Sequence, residues 1–248
     1  MRKSLIITGA VLGGLVAAGS AGDRYAATSA ADRLAERLRC AAGLTEPPEV
    51  TLGGIPFLTQ LARGRFDEVR VTAASVTVGR FSGGLRATAR QVRTAGDAFR
   101  AASLTVTATM SYAGTAASTG VAGLSGLGYD GAGRLRMAVT TQVLGRDVPV
   151  VVHAVPEIAG DALVVRPVEV EIPVIGVRLP AAQLGEKAAP RTIPLPELPG
   201  GLHYRGAEAA EDGLQITVDG TDVAVPRDTG TGATAGGRAG RDCGENQR

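Results

Sequence analysis

Tryptophan is absent from this 248-residue chain, and aromatic residues make up only 3% of it. A hydrophobic core must therefore be built from aliphatic side chains. The hydrophobic fraction of 44%, mostly Val, Leu and Ala, is ample for one. Cysteine and histidine each occur only twice. The two cysteines allow one disulfide within the chain. Two cysteines and two histidines also provide few ligands for a metal site.

A strong charge imbalance is also missing. Twenty-six Lys and Arg stand against 24 Asp and Glu, and the net charge of +2 is too balanced to predict nucleic acid as a partner. Only Lys3 and Lys187 are lysine, so arginine supplies almost all of the positive charge. Arginine binds phosphate bidentately, but a GC-rich genome also produces an Arg- and Ala-rich chain. We favour the genomic explanation for the overall bias.

Motifs for catalysis are missing as well. His153 and His203 have no further ligands at metal-binding spacing. Residues 123–127 fail the G-x-S-x-G nucleophile motif at its last position, and no G-x-x-x-x-G-K-[ST] phosphate loop is present. Carboxylates near residues 208–222 flank a predicted hairpin turn, where such groups are usually solvated. We therefore predict no catalytic residue, no metal, no cofactor and no enzymatic activity.

The N-terminus predicts the compartment. Arg2 and Lys3 precede the uncharged residues 4–22, which contain the apolar run 5–18. This pattern is typical of a signal peptide, here over residues 1–22 with cleavage near Ala21. It is equally typical of a retained signal anchor, because a bilayer span needs roughly 17–25 residues. Either alternative places the rest of the chain outside the cytoplasm, in the cell envelope or secreted.

Residues 23–226 are predicted to form a single domain in which strands dominate. Asp23 to Leu44 shows the spacing of an amphipathic helix, and Gly43 followed by Pro47-Pro48 predicts its end. Alternation of period two then predicts successive strands, most clearly over residues 104–112. Short Gly- and Asp-containing turns make the pairing antiparallel. The predicted fold class is α+β, a curved antiparallel sheet wrapped around or covered by the N-terminal helix.

Three stretches interrupt the strands. Residues 113–133 are rich in Gly, Ala and Ser and are predicted to be a loop or a short helix. Six prolines in residues 172–204 exclude a central strand and indicate an extended strap. Residues 227–248 contain no large apolar side chain and are predicted to be a disordered tail. Export would permit Cys243 of this tail to pair with Cys40, or Cys40 would be a buried apolar residue.

The segment Glu49 to Val78 is the most informative. A short strand and a Gly53-Gly54 turn precede four consecutive apolar residues, 55–58. A Leu-Ala-Arg-Gly link then leads into a second strand. Four large apolar residues beside a turn do not fit a solvated loop. They suit a segment that is buried or pressed into lipid.

This pattern resembles the LmeA-like phospholipid-binding family of actinobacterial cell-envelope proteins. That family's early motif, V-x-I-x-G-x-P-F-L, precedes a basic, Gly-containing link. The matching residues here are Val50, Leu52, Gly54, Pro56, Phe57 and Leu58, then Arg63, Gly64 and Arg65. A second match follows the Pro-rich strap, with Asp212-Gly213-Leu214 and then Gly220, Asp222 and Val223. The resemblance extends from about Asp23 to Pro226, and its middle third is matched only by the strand rhythm.

The resemblance implies a tubular lipid-binding type of fold. It also implies binding of anionic phospholipid in an apolar groove, in support of envelope lipid or glycolipid assembly. The implied partners are phospholipid and the membrane surface, and the sequence does not identify a protein partner. On this hypothesis the groove is lined by Ile55, Phe57, Leu58, Leu61, Leu104, Val106, Met110 and Tyr112.

Arginines between residues 63 and 93 are candidates for binding the headgroup. Seven Arg in this stretch stand against Asp67 and Glu68, a local net charge of +5. Near a membrane surface each basic residue attracts anionic lipid by about 1 kcal/mol. The predicted headgroup residues are Arg63, Arg65, Arg70, Arg86 and Arg90. The alternative is a solvated strand face whose charges discourage edge pairing.

A second function remains open. The protein could be a non-enzymatic structural or interaction module of the cell envelope with a packed core. The volume of an internal cavity distinguishes the two functions, because a lipid binder needs a continuous apolar cavity and an interaction module does not.

Overall fold

A computed structural model of the chain describes residues 2–78, 81–96, 98–119, 124–143, 145–198 and 200–226. The described residues form three α-helices, one 3-10 helix and twelve β-strands. The helices are α1 (Arg2–Ala42), α2 (Phe57–Arg63) and α3 (Tyr112–Thr119), and the 3-10 helix is Ala181–Ala188.

The strands form two antiparallel sheets. Their bounds are β1 (Glu49–Gly53), β2 (Arg65–Val78), β3 (Phe81–Ala95), β4 (Ala98–Met110), β5 (Leu124–Tyr129), β6 (Leu135–Val143), β7 (Arg146–Ala159), β8 (Ala162–Ile172), β9 (Val177–Pro180), β10 (Arg191–Pro194), β11 (Leu202–Ala210) and β12 (Gly213–Pro226). The first sheet has the order β1-β2-β3-β4-β12-β11. The second has the order β10-β8-β7-β6-β5, and β9 also pairs with β8. The predicted α+β class is confirmed, although the sequence did not indicate two sheets.

The described residues divide into two compact units. The first unit takes the described parts of segments 1–73, 87–104 and 221–248, and the second takes those of 74–86 and 105–220. The single domain over residues 23–226 stays a prediction. The tail at residues 227–248, which includes Cys243, lies outside the described residues.

In the first unit, α1 packs against β1 and α2 through a row of small side chains. Asp23, Ala27, Ala31 and Ala35 are all buried. They recur at every fourth position and so share one helix face. The distance between packed elements depends on the side chains at their contact. Because alanine is small, α1 can lie close to β1 and α2. Leu34 and Leu38 of the same helix are half-buried.

The predicted end of this helix is confirmed. Gly43 follows the last helical residue with φ of 63°, and its N–H donates to the carbonyl of Cys40 at 3.2 Å. At the other end α1 continues through the predicted leader to Arg2. Within the described residues, none of the helices has the length and apolarity needed to cross a membrane. The signal peptide or signal anchor stays a prediction.

In the second unit, the core lies where β7 packs against β11. Leu135, Leu163, Ala209 and Leu214 are buried there, and half-buried apolar residues such as Met110 pack against them. Leu214 is 1% exposed. Because its neighbours come from several strands, this cluster holds both sheets of the unit together.

Three details differ from the predictions. The helix α2 spans residues 57–63, which include the end of the expected apolar segment 55–58 and most of the expected Leu-Ala-Arg-Gly link. Residues 124–129 form the strand β5 where a loop or short helix was expected. Tyr112 begins α3 and does not end the preceding strand. The proline-rich stretch contributes two short strands, β9 and β10, which both pair with β8. Neither is a central strand, in agreement with the missing N–H donors of proline.

Replacing Leu214 with Ala should cost about 2–5 kcal/mol of unfolding free energy, because the cavity left in a packed core is not refilled. Leu58→Ala is the matched control, since Leu58 is 51% exposed. That change should stay within about 0.5 kcal/mol. Urea unfolding followed by circular dichroism measures both, and an equal cost for the two variants would contradict this core assignment.

Candidate functional site

The tip of the first unit begins at a glycine whose backbone conformation other residues rarely adopt. Gly54 has φ of 91°. A Cβ on it would lie 2.4 Å from the side chains of both Gln60 and Asp67. The turn therefore folds back tightly onto the element that follows it, with Pro56 immediately before α2.

Asp23 caps the beginning of α2 from another helix. Its two carboxylate oxygens accept the backbone N–H of Phe57 at 2.9 Å and of Leu58 at 2.8 Å. The residue at the helix's own capping position, Pro56, makes no side-chain hydrogen bond to the helix. The first N–H groups of any helix need an acceptor from outside it. Asp23 supplies that acceptor, 34 residues away in sequence from Phe57.

These contacts also determine how Asp23 titrates. The N–H groups of Leu58 and Phe57 lower the pKa of its carboxyl, and the neighbouring Arg24 lowers it further. Hydrogen bonds to the charged form stabilise that form. Asp23 is therefore an ionised carboxylate at neutral pH, although its residue is only 5% exposed.

Further contacts hold the inner side of α2. Phe57 is 1% exposed, and its ring centroid lies 6.2 Å from that of Phe66. The Gln60 side chain accepts the N–H of Asp67 at 2.8 Å and donates to the carbonyl of Gly53 at 3.3 Å. The helix is thus fixed along one face by an aromatic pair and an amide.

The outer side of α2 is apolar and exposed. Leu58 is 51% exposed and Leu61 is 53% exposed. Ala62 is also exposed, and these positions share one face of the helix. Ile55, just before the helix, is 80% exposed. We call Ile55, Leu58, Leu61 and Ala62 the apolar tip.

A second apolar surface lies in the second unit, on one face of β6 and β7. Residues directly opposite in the antiparallel register point to the same face. Leu135 pairs with Ala154, and both are buried in the core. Along the same face the next pairs are Met137 with Val152 and Val139 with Val150, followed by Val148, and all five are only half-buried. We call these five residues the inner apolar face.

The scan against protein families decides the assignment. The model described as LmeA-like phospholipid-binding matches residues 21–219. The chain belongs to this family. No match was found among curated proteins or among solved structures. The match therefore includes the middle third of the chain, where the sequence analysis had found only the alternation typical of strands and no family motif.

The structure of this LmeA-like protein separates the eight residues predicted to line a groove. Phe57 is buried, whereas Ile55, Leu58 and Leu61 are exposed. Leu104 is half-buried in the first unit. Val106, Met110 and Tyr112 are half-buried in the second unit, where Met110 and Tyr112 pack against the core. The lining as a whole stays a prediction.

Sequence reasoning missed the inner apolar face. The alternation at residues 135, 137 and 139 and at 148, 150 and 152 was visible as strand pattern. It did not show which of these side chains are buried in the core and which remain half-buried beside it. That depends on which strands lie opposite them in the fold.

The five arginines predicted to bind headgroups are all exposed. Arg70 and Arg90 share Glu68, at 2.6 Å and 3.4 Å. Arg63, Arg65 and Arg86 form no ion pair with any acidic residue that the structure describes. An arginine of the same stretch, Arg80, lies outside the described residues. The charge is therefore least compensated at the three arginines without an acidic partner.

Arg90 also lines an open cleft of about 490 Å³ in the first unit. Its other lining residues are Asp67, Gln91, Ala102 and Ser103. Apolar side chains dominate typical sites for apolar ligands. This cleft carries only one, Ala102, and is unsuited to acyl chains.

A buried polar cluster joins β7 to the turn before β6. The Asp130 side chain is 1% exposed and lies 3.2 Å from Nδ1 of His153. It accepts the backbone N–H of Ala132 and of Arg134 and pairs with the Arg134 side chain. Burial opposes the charge of Asp130, but the hydrogen bonds outweigh it and lower the pKa of this carboxyl. The cluster fixes the turn, and the described residues hold no group of His, Cys, Asp and Glu suited to a metal ion.

Replacing Asp23 with Ala should loosen α2, because two N–H groups lose their acceptor. The loss of a helix cap predicts a fall in Tm of about 2–4 °C. Faster hydrogen exchange at the amides of Phe57 and Leu58 should accompany it. Asp32→Ala is the control, because Asp32 lies on the exposed side of α1, the helix that also carries Asp23. Unchanged exchange at these two amides would contradict the cap.

The stabilisation by Asp23 should depend on pH. Because its pKa is lower in the folded chain than the ordinary value of 3.8, the stabilisation is present in full above 3.8 and is lost as pH falls through the folded value. The Tm difference between the wild type and Asp23→Ala should be constant from pH 7 to about pH 5 and shrink below it. Melting curves across this range measure it, and a difference that grew on acidification would refute the sign.

Proposed function

We propose that this protein is an exported cell-envelope protein that binds an anionic phospholipid in an apolar groove of its second unit. The inner apolar face carries the proposal. Five large side chains continue the face of a packed core, yet remain half-buried. A protein that needed only a core would gain stability by covering them, since burying apolar surface is favourable.

Acyl chains are the ligand that this surface suits best. Each buried CH₂ contributes about 0.8 kcal/mol, so a groove of modest length gives useful affinity without polar recognition. Val106 and Met110 of β4 belong to the same unit, and Met110 packs against the core from which the inner apolar face extends. We assign the groove to these half-buried residues and leave out the exposed apolar tip.

The arginines support an anionic headgroup. Arg86 is exposed in the same unit as the inner apolar face and has no acidic partner among the described residues. A guanidinium presents a fork that matches a phosphate bidentately. Arg70 and Arg90 already share a carboxylate, so they contribute less net charge to the surface.

The N-terminal sequence supports export to an envelope compartment, because residues 1–22 have the pattern of a signal peptide or anchor. In that setting the protein would act by binding and not by catalysis, in support of envelope lipid or glycolipid assembly.

Lipid load is the quantity that tests the groove. The full chain is purified from a bacterial host in mild detergent and examined by native mass spectrometry and organic extraction. We expect close to one phospholipid per chain. Val150→Asp should remove it, because the carboxylate would be buried among acyl chains. A second variant, Val139→Trp, fills the groove without adding charge and should lower the load as well.

Thr140→Asp is the matched control, since Thr140 is exposed and lies on the opposite face of β6 from Val139. It should keep the lipid. Circular dichroism shows whether each variant is folded. A folded Val150→Asp protein with an unchanged load would place the lipid elsewhere. A wild type that stays lipid-free after incubation with anionic vesicles would favour the interaction module.

A further inference from the structure

We propose that the apolar tip docks the protein on the surface of an anionic phospholipid bilayer. The inference rests on the proposed function in one respect, that the partner is phospholipid. It concerns a different surface and a different event. The groove holds a single lipid in the second unit, whereas the tip of the first unit contacts the intact membrane.

The polarity of α2 is the first observation. A surface helix normally turns its apolar stripe toward the core and its polar side to water. Here the inner side contains the amide of Gln60, which is 8% exposed, beside Phe57. The outer side carries Leu58, Leu61 and Ala62. A helix that exposes its leucines and buries a glutamine is suited to an apolar environment outside the protein.

The tip is also held rigidly in this exposed position. Asp23 binds the N–H groups at the start of α2, and Gly64 closes its end with φ of 60° and its N–H on the carbonyl of Leu61 at 3.1 Å. Unsatisfied N–H groups are costly in an apolar medium. Because Asp23 already satisfies two of them, the tip can enter the interface without exposing these donors. Ordering of the tip does not have to accompany docking.

Basic residues lie at both ends of the tip. Arg63 and Arg65 flank its C-terminal end and are exposed, with no acidic partner among the described residues. Arg24 lies at the other end, where it donates to the carbonyl of Gly54 at 2.8 Å and pairs with Asp23 at 3.1 Å. Two acidic residues contact α2. Asp23 is buried by its contacts to Phe57 and Leu58. Asp67 is exposed, with its N–H on the side chain of Gln60. The unpaired positive charge therefore comes from Arg63 and Arg65. An apolar face beside basic residues is the combination that binds anionic membrane interfaces.

The size of the tip favours a bilayer over a protein partner or a second copy of the chain. A stable protein interface buries roughly 800 Å² on each partner. The apolar tip has three large side chains and one alanine. A bilayer needs no complementary surface, since a short apolar element only has to reach the boundary between headgroups and acyl chains.

The absence of tryptophan gives a direct test. Leu58→Trp in the full chain places the sole tryptophan at the tip, so the N-terminal helix contributes no tryptophan signal. Vesicles of brominated phosphatidylcholine and phosphatidylglycerol should blue-shift its emission and quench it. Removing each charge in this background, by Arg63→Gln or Arg65→Gln, should weaken vesicle affinity about 5-fold.

Thr140→Trp is the matched control. Thr140 is an exposed polar position on β6 of the second unit. Its tryptophan should stay in water when vesicles are added. Equal quenching at both positions, or no quenching at position 58, would overturn the proposal. A blue shift at position 58 without vesicles, together with a dimeric mass, would assign the tip to a second copy of the chain and overturn it too.

Lipid load, measured by native mass spectrometry on the same Leu58→Trp sample, separates the two proposals. A lipid-loaded protein whose tryptophan stays in water would keep the groove and reject docking. A lipid-free protein whose tryptophan is quenched would keep docking and reject the groove.

Discussion

The carboxylate of Asp23, held between the N–H groups of Phe57 and Leu58, is the contact on which the first unit depends. A seven-residue helix is too short to be stable on its own in water. α2 also follows a proline that provides no cap. The long helix α1 brings Asp23 to the right place because Ala27, Ala31 and Ala35 let it lie close to its neighbours. One buried charge therefore connects the packing of α1 to the position of four exposed apolar residues.

Both apolar surfaces leave large apolar side chains incompletely buried, but they differ in where those side chains lie. The inner apolar face extends a packed core, and its side chains are half-buried between strands. The apolar tip lies on a helix whose inner face is already fully occupied by Phe57 and Gln60. Lipid suits both surfaces because acyl chains need no specific polar partner. Under the two proposals the first surface holds a single lipid and the second contacts a membrane, so each has its own test.

Ion pairing determines which arginines remain available to an anionic lipid. Glu68 holds Arg70 and Arg90, and Asp222 lies 3.8 Å from Arg93 and 3.3 Å from Arg100. Exposed pairs of this kind contribute little stability. Their effect here is to reduce the local positive charge around Arg70, Arg90, Arg93 and Arg100. Among the described residues, uncompensated charge remains at Arg86 on β3 and at Arg63 and Arg65 beside the tip. The other buried charge, Asp130, serves the turn before β6 and takes no part in this pattern.

The sequence by itself determined the properties that depend on neighbouring residues. Alternation predicted most strands, and Gly43 predicted the end of the first helix. Two short motifs indicated the family over about Asp23 to Pro226. The family match covers residues 21–219 and ends before Gly220, Asp222 and Val223 of the second motif. The sequence could not determine α2, whose cap comes from a residue 34 positions away, nor the division of the strands into two sheets. Nor could it show that Phe57 is buried while Leu58, its neighbour, faces outward. Only the tertiary structure decided these, because burial and capping depend on what lies opposite a side chain in space, and local pattern records only what lies beside it in the chain.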